Sequence, residues 1–451
     1  TSFEMKTLRY WFRLLVALVA KYYVVLGVGL ILGGLTFFVF PHISKYLPRW
    51  RGTQTIAVVG RYTTDDIPLF IQRQISQGLT TLDPSGLASP AIASSWTVSD
   101  GGKTYTFELN PNLTWQDGTP LKSRDINYQF RDTVSEYPTP TRLIMKLKDP
   151  FAPLPVVVSR PVFKRGLLGT GSYKVSRVRK NGSYIDSLSL VPVDGRSTRQ
   201  PNLTYRFYSS ETAAWLAFKL GTVRSLIDLA EPGDLTGRPN VVTSTQPHPD
   251  RYVAVFFNLN SPALSDQSSR DLRLALAYAV DRRSRWSGFA GADGPINPDS
   301  WAHFADIKKY DLDLAKAKQL LAKVDNKPAE IQLSTVPAYL PVAEAIKTDW
   351  DKLGLKVNVV VAAEPTPDFM ALVIAQQIPL DPDQYNLWHS TQATNLTGLS
   401  NPRIDKLLED GRKTLDIEAR KKIYQDFQKF LVDEVPTIFL FHPPSYTVSR
   451  K

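Results

Sequence analysis

The sequence predicts an α/β protein of two lobes, with mixed sheets and flanking helices, preceded by one transmembrane helix. Three observations carry this prediction. An uncharged stretch stands near the start of the chain, and strand-like segments with glycine turns follow it. Helices then alternate with strands as far as a short last strand. Strand-rich sequence comes first, helices alternating with strands come next, and a single strand comes last. From this order we expect the chain to cross between the lobes more than once.

The composition is that of a globular protein with about two or three domains. Apolar residues make up 43% and charged residues 22%, which excludes a wholly disordered chain, a fibrous repeat and a polytopic membrane protein. The absence of Cys excludes disulfides, thiolate metal sites, a catalytic thiol and a lipid-modified Cys anchor. The net charge is +11, but residues 1–51 hold much of it. The remaining +5 is too dilute for a nucleic-acid partner.

The uncharged stretch is Tyr22–Phe40, whose 19 residues are long enough for a helix to cross a hydrocarbon core. A cleaved signal peptide has a shorter apolar core and ends in small residues, whereas this run ends in Thr-Phe-Phe-Val-Phe. We therefore expect an uncleaved anchor over residues 22–41, with a cytoplasmic segment 1–21 before it and a linker 42–52 after it. The soluble part then lies on the extracytoplasmic side of the cell membrane.

The next part of the chain predicts strands and hairpins. Gln54–Val59 is apolar enough for a first buried strand. Tyr105–Leu109 alternates apolar and polar residues with a period of two, and Ser99–Gly102 separates it from Trp96–Val98. An Asp-Gly-Gly turn between two such segments is typical of a β-hairpin, because glycine supplies positive φ without steric cost. Residues 170–207 again predict strands.

From residue 256 onward, apolar stripes at helical spacing predict helices that alternate with strands. The predicted segments are helices over Arg270–Arg283, Leu314–Val324, Val342–Leu353, 402–414 and 417–434, and strands over Lys356–Val361 and Ile438–Phe441.

Several short motifs stand in a fixed order in the soluble part. They are SPAIASSW (89–96), LTWQDGTPL (113–121), GTGSY (169–173), DLRLALAYAVDR (271–282) and DPD (381–383). In this order they resemble the family 5 extracellular solute-binding proteins, the oligopeptide and dipeptide receptors of ABC importers. The resemblance covers nearly all of residues 53–451. It depends on the order of the motifs, since no single motif is specific.

The resemblance implies a periplasmic-binding-protein-like (Venus-flytrap) fold, in which two lobes joined by a two-stranded hinge enclose a ligand. It implies lobe I over 53–255, with a reduced inserted subdomain near 88–160, lobe II over 256–434 and a return to lobe I over 435–451. It also implies binding without catalysis and without a cofactor. The expected partners are a peptide or other small polar solute, an ABC permease and its ATPase.

The chain departs from the family at the position that holds a peptide's free amine. Peptide receptors of the family place an Asp four residues before the Pro of the Asp-Pro-Asp stretch, and that position here is Ile378. The salt bridge to the amine is then absent, or Asp381 or Asp383 supplies it.

The predicted ligand-lining segment is Asp381–Trp388, because carboxylates and aromatic faces together suit a polar organic solute. An alternative interpretation makes Trp388 a buried anchor within a turn. Phe257 and Asn258 are expected to mark the hinge crossing. The candidate site residues are Asp381, Asp383, Tyr385, Asn386, Trp388, His389 and Asn258.

Other functions stay open at this point. The same fold could bind an oligosaccharide or a metal chelate, for which His389 beside Trp388 would be the residue to test. A membrane-tethered sensor or scaffold that is not coupled to transport is another alternative. The sequence has no His-x-His or His-Glu-x-x-His spacing for a metal and no Gly-x-Ser-x-Gly elbow for a hydrolase.

Overall fold

The computed structural model describes residues 19–24, 28–29, 52–193, 200–264 and 269–451. It divides the chain into two compact units, residues 1–52 and residues 53–451. Residues 19–24 and 28–29 are helical, and most of the predicted anchor Tyr22–Phe40 lies outside the described residues. Within the described ranges, no helix has the length and apolar character needed to cross a membrane.

The second unit contains nineteen strands and ten helices within the residues that the structure describes. The strands are β1 (Thr53–Val59), β2 (Thr80–Leu82), β3 (Ala88–Pro90), β4 (Ala93–Ser99), β5 (Thr104–Leu109), β6 (Thr133–Thr139), β7 (Arg142–Leu147), β8 (Tyr173–Asn181), β9 (Tyr184–Pro192), β10 (Asn202–Tyr208), β11 (Ser225–Leu229), β12 (Val241–Pro247), β13 (Arg251–Phe257), β14 (Ala290–Gly291), β15 (Ile331–Thr335), β16 (Val357–Val361), β17 (Ala371–Gln377), β18 (Thr437–His442) and β19 (Pro444–Arg450). The helices are α1 (Leu69–Ile75), α2 (Leu154–Val157), α3 (Glu211–Lys219), α4 (Ser269–Ala279), α5 (Arg282–Arg285), α6 (Leu314–Ala322), α7 (Leu340–Asp351), α8 (Tyr385–Trp388), α9 (Pro402–Lys413) and α10 (Ile417–Glu434).

Lobe I is built on a seven-stranded sheet with the order β12-β19-β11-β1-β10-β9-β8. Strand β1 runs parallel to both β10 and β11. Its side chains alternate between the two faces, so that Val58 packs in the core with Ile71 and Ile75 of α1. Ala57 points the other way and packs with Phe218 of α3 and Leu226 of β11. Both faces of the sheet are therefore covered.

The inserted subdomain is a separate four-stranded sheet with the order β4-β5-β7-β6 and its own buried cluster. The predicted hairpin is confirmed, since β4 and β5 pair antiparallel on either side of a tight turn. Asp100, Gly101 and Gly102 all have positive φ in that turn. Tyr105 and Phe107 are buried, as the alternation predicts.

Lobe II is built on a six-stranded sheet with the order β14-β18-β13-β17-β15-β16. The predicted helices are confirmed to within a few residues, except that the first ends at Ala279. A short second helix follows there because the Asp281 side chain accepts a hydrogen bond from Ser284 N and so starts α5. Trp350 of α7 is fully buried and its Nε1 donates to the carbonyl of Leu276, which fixes α7 against α4.

The chain crosses between the two lobes at other residues than the expected boundaries at 255/256 and 434/435. The chain leaves the lobe I sheet after Pro247 and enters the lobe II sheet at Arg251. It returns between His442 and Pro444. Strands β13 and β18 pair with each other, and their apolar side chains are buried in the lobe II core. Because both strands bury their apolar side chains in lobe II, each belongs to that lobe along its whole length. The lobe boundaries therefore lie before Arg251 and after His442.

Candidate functional site

The two crossing segments run side by side. Strands β12 and β19 pair as far as Pro247 and Pro444, and the N–H of His248 then donates to the carbonyl of Pro443 at 3.1 Å. From lobe II, the N–H of Ile378 at the end of β17 donates to the carbonyl of Asp250 at 2.7 Å. The ends of strands from both sheets therefore meet at this two-stranded hinge.

Charged and polar side chains collect at the hinge. His248 lies between two carboxylates, with Nε2 at 2.8 Å from Asp228 Oδ1 and Nδ1 at 3.2 Å from Asp250 Oδ1. The Arg251 guanidinium lies 3.9 Å from each of those carboxylates. Gln377 Nε2 donates to Asp250 Oδ2 at 2.9 Å. We call these five residues the hinge cluster.

Asp228 reaches the hinge because its strand is irregular. The register between β11 and β19 shifts between Leu226 and Leu229, which is a β-bulge. Within it Asp228 has φ of 55°, a left-handed conformation that Asp tolerates better than most residues. Bulges re-aim side chains next to functional sites, and left-handed backbone at a non-glycine residue costs about 1–3 kcal/mol.

The hinge cluster keeps access to solvent. The side chain of Asp228 is 52% exposed and that of Arg251 is 33% exposed. Burial raises the pKa of the Tyr62 phenol, and the negative charge of Asp228 raises it further, so Tyr62 stands within the field of this carboxylate. Burial also raises the pKa of Tyr339, with Arg251 opposing the rise. Accessible carboxylate, guanidinium and phenol groups can bind a zwitterionic solute.

The two predicted carboxylates of the 381–388 segment are held in ion pairs with helices. Asp381 is buried and makes a bidentate contact with Arg420 of α10. Asp383 accepts a hydrogen bond from Arg412 Nε of α9 at 2.8 Å. Burial raises the pKa of Asp383, and the Arg412 charge opposes that rise. Both carboxylates are thus already paired with arginines, so neither is placed to bind a peptide amine in place of the Asp that the family carries at position 378. Ile378, which occupies that position here, is buried.

The aromatic residues of this segment also pack inside lobe II. Trp388 is 2% exposed and stacks on Phe256 of β13 with 6.3 Å between ring centroids, as in the buried-anchor interpretation. His389 is buried, stacks on Tyr385 at 4.1 Å and accepts a hydrogen bond from Thr391 N through Nδ1. Its neighbours therefore already occupy both its ring face and one ring nitrogen.

Two other predicted site residues lie elsewhere. Asn386 is exposed on α8, where its side-chain oxygen accepts a hydrogen bond from Arg412 Nη2 at 3.3 Å. Asn258 was expected at the hinge crossing, and this expectation is corrected by the strand direction. It follows the far end of β13, where Phe257 pairs with Ala371, and its amide donates to the carbonyl of Phe369 at 2.9 Å. It lines an open pocket of about 820 Å³ there.

Sequence reasoning missed the hinge cluster. The stretch His248-Pro249-Asp250-Arg251 stands between the strand-rich part and the mixed part of the chain, and this position could have indicated a crossing. Asp228 gave no such signal, because a bulge depends on pairing with β19 more than 200 residues later. In the part of the chain that the structure describes, no group of three or more His, Asp or Glu side chains is arranged to hold a metal ion.

Two lobes on separate sheets, joined by a double crossing, define a two-lobed periplasmic-binding-protein architecture. Solved structures share it. The structure of NikZ from Campylobacter jejuni in complex with Ni(L-His) aligns with a TM-score of 0.72 at 22% identity, covering 88% of this chain and 94% of that one. The oligopeptide-binding protein AppA from Bacillus subtilis, in complex with a nonapeptide, aligns with a TM-score of 0.68 at 20% identity, covering 90% and 95%.

Sequence comparison identifies the family. The sequence model of one protein family, described as "Bacterial extracellular solute-binding proteins, family 5 Middle", matches residues 88–149 and 133–395. The chain is 26% identical over 411 residues to the probable D,D-dipeptide-binding periplasmic protein DdpA of Escherichia coli (strain K12), covering 78% of each. It is 23% identical over 461 residues to the oligopeptide-binding protein AppA of Bacillus subtilis (strain 168), covering 85% of this chain and 84% of AppA. The chain belongs to the family 5 extracellular solute-binding proteins.

Proposed function

We propose that this protein is a membrane-anchored receptor that captures a peptide, or a similar zwitterionic solute, between its lobes and delivers it to an ABC importer. One observation carries the proposal. Asp228 of the lobe I sheet and Arg251 of the lobe II sheet lie 3.9 Å apart at the hinge, and both remain partly exposed. A solute with an amine and a carboxylate contacts both lobes at once there, and such contacts stabilise the closed form.

The solute class draws support from the relatives. The names of DdpA and AppA describe proteins that bind dipeptides and oligopeptides. In this chain the amine would be bound by Asp228, which replaces the carboxylate missing at Ile378, and the carboxylate end would be bound by Arg251. Tyr62 and Tyr339 would flank the solute.

The proposed anchor is the uncharged run Tyr22–Phe40, and the proposed partners are a permease and its ATPase. Within the 381–388 segment we assign Asp381, Asp383 and Trp388 to positioning the loop. Tyr385 and Asn386 keep some exposed surface and stand beside Arg412, so they could contact a longer solute.

The experiment is thermal unfolding of the protein with pools of dipeptides and oligopeptides, with malto- and cello-oligomers, and with nickel–histidine chelates. A solute at 100 times its dissociation constant adds about 2.7 kcal/mol to stability. Asp228→Asn removes one charge-assisted hydrogen bond and should weaken peptide binding by roughly tenfold to a hundredfold. The matched control is Asp132→Asn, since Asp132 also has positive φ (59°) but lies in the inserted subdomain.

Each result decides one part of the proposal. A shift with peptides that Asp228→Asn weakens and Asp132→Asn preserves supports the solute and the site together. A shift with sugars or chelates alone contradicts the peptide assignment. Unchanged peptide binding by Asp228→Asn contradicts the hinge cluster as the site.

A further inference from the structure

The lobe I sheet has a second edge, at the opposite ends of the strands from the hinge cluster. Arg224 joins the strands there, because its N–H donates to the carbonyl of Thr55 at 2.8 Å and its carbonyl accepts from Arg450 N at 3.0 Å. Lys451 N donates to the carbonyl of Asn240 at 3.1 Å beside them. Helix α3 ends at the same place, since the Arg450 guanidinium donates to the carbonyl of its Lys219. We call this surface the basal edge, and it consists of Leu216, Leu220, Arg224, Arg238 and Lys451.

The basal edge is positively charged. Arg224, Arg238 and Lys451 are exposed, and within the ranges that the structure describes none of them forms a salt bridge with an Asp or Glu side chain. Arg224 Nη2 donates a hydrogen bond to the main-chain oxygen of Lys451 at 3.5 Å. Lys219 is paired with Asp234 at 2.8 Å, so that this pair adds little net charge. Arg224, Arg238 and Lys451 are exposed to solvent, so their charges are available to an anionic partner.

Two leucines stand out from the same edge. Leu216 is 57% exposed and Leu220 is 70% exposed, one helical turn apart, with Leu220 N bonded to the carbonyl of Leu216. The opposite face of α3 supplies the core through Ala214, Ala217 and Phe218. The leucines are thus not needed for packing within lobe I. Apolar side chains flanked by Lys and Arg are typical of surfaces that lie on a membrane interface.

The chain itself indicates which partner meets the basal edge. Strand β1 begins at Thr53, and residues 41–52 join it to the uncharged run Tyr22–Phe40. Twelve residues span at most about 40 Å, because an extended chain advances about 3.3–3.6 Å per residue. This linker also carries Lys45, Arg49 and Arg51. A tether this short keeps the basal edge at a high effective concentration near the bilayer that holds the run.

We propose that the basal edge binds the surface of an anionic phospholipid bilayer, with the cations on the headgroups and the leucines at the acyl boundary. The surface orients lobe I on the membrane. This inference rests on the proposed anchor, but it is independent of which solute the hinge cluster binds.

The test uses residues 53–451, which form a separate compact unit with all four buried clusters. It measures sedimentation with vesicles of one part phosphatidylglycerol to two parts phosphatidylcholine, and with vesicles of phosphatidylcholine alone. We expect binding to the anionic vesicles only. Arg224→Glu/Arg238→Glu should weaken it at least roughly thirtyfold, since each cation near an anionic surface contributes about fivefold. Leu216→Ser/Leu220→Ser should weaken it as well.

The matched control is Lys318→Glu/Lys327→Glu on lobe II, which makes the same change in net charge at exposed lysines. Retained binding by this control supports the basal edge, and an equal loss in both charge variants overturns it. Equal binding to neutral vesicles also overturns it. The peptide thermal shift of the same variants is measured in parallel, so that loss of vesicle binding with an intact peptide shift is separated from failure of the receptor function.

Discussion

Arg420 and Asp381 form a bidentate ion pair inside lobe II, with Nη1 to Oδ2 at 3.0 Å and Nη2 to Oδ1 at 2.5 Å. The same guanidinium donates to the carbonyl of Gly411 at 2.7 Å and to the Tyr424 hydroxyl at 3.2 Å. Burial disfavours the charge of Arg420, but the Asp381 carboxylate outweighs this effect and raises the pKa of Arg420. The pair thereby joins the segment before α8 to helices α9 and α10.

Removing one partner of this pair should be costly. Asp381→Ala leaves a buried guanidinium without its counter-charge, and we expect a loss of about 3–5 kcal/mol in the free energy of unfolding. Urea denaturation measures it. The control Asp410→Ala breaks the exposed pair with Lys406 and should change stability little. Equal stability of the two variants, with loss of solute binding in Asp381→Ala, would favour a ligand role for Asp381 instead.

Trp388 should behave as a core residue. Trp388→Ala removes the ring that stacks on Phe256, and we expect it to cost about 3–5 kcal/mol or to abolish folding. Trp388→Phe keeps an aromatic ring and should cost less. Near-ultraviolet circular dichroism and urea denaturation report both. A Trp388→Ala variant of normal stability that no longer binds solute would contradict the buried-anchor interpretation.

The hinge should make stability depend on pH through His442. Burial lowers the pKa of His442, while the hydrogen bond from its Nδ1 to the carbonyl of Arg251 (2.8 Å) opposes this shift. The unfolded chain, with a His pKa of about 6.5, then binds more protons than the folded one. Stability is therefore complete above about pH 6.5 and falls as the pH drops toward the folded value.

Thermal unfolding across this pH range measures the effect. His442→Asn keeps a donor near the Nδ1 position and should flatten the slope. Burial also lowers the pKa of His303, so His303→Asn serves as a comparison whose effect has the same sign. Superimposable profiles for the protein and His442→Asn would show that His442 does not titrate with unfolding.

Gly169 should not tolerate a side chain. A Cβ at this position would lie 2.2 Å from the carbonyl oxygen of Ile75, which belongs to a buried backbone segment. We expect Gly169→Ala to cost about 1–3 kcal/mol, because the backbone of α1 would have to move. At Gly288 a Cβ would meet nothing within 4 Å, so Gly288→Ala is the control and should have little effect. Similar denaturation midpoints for the two variants would refute this explanation of the Gly-Thr-Gly motif.

The sequence by itself determined the local elements and their order. The alternation in Tyr105–Leu109 and the apolar stripes of the lobe II helices are local patterns with periods of two and 3.6 residues, and the structure follows them. The order of the motifs determined the family for the same reason, since each motif is a short local segment, and DLRLALAYAVDR (271–282) for instance covers most of helix α4.

Only the tertiary structure decided which polar residues are structural and which are accessible. The carboxylates of the 381–388 segment looked like ligand groups until α9 and α10 supplied Arg412 and Arg420, which lie 29 and 39 residues away from their partners. Asp228 became a candidate only through a bulge against β19. The energy of a charge depends on burial and on its neighbours, and the packing of distant segments sets both.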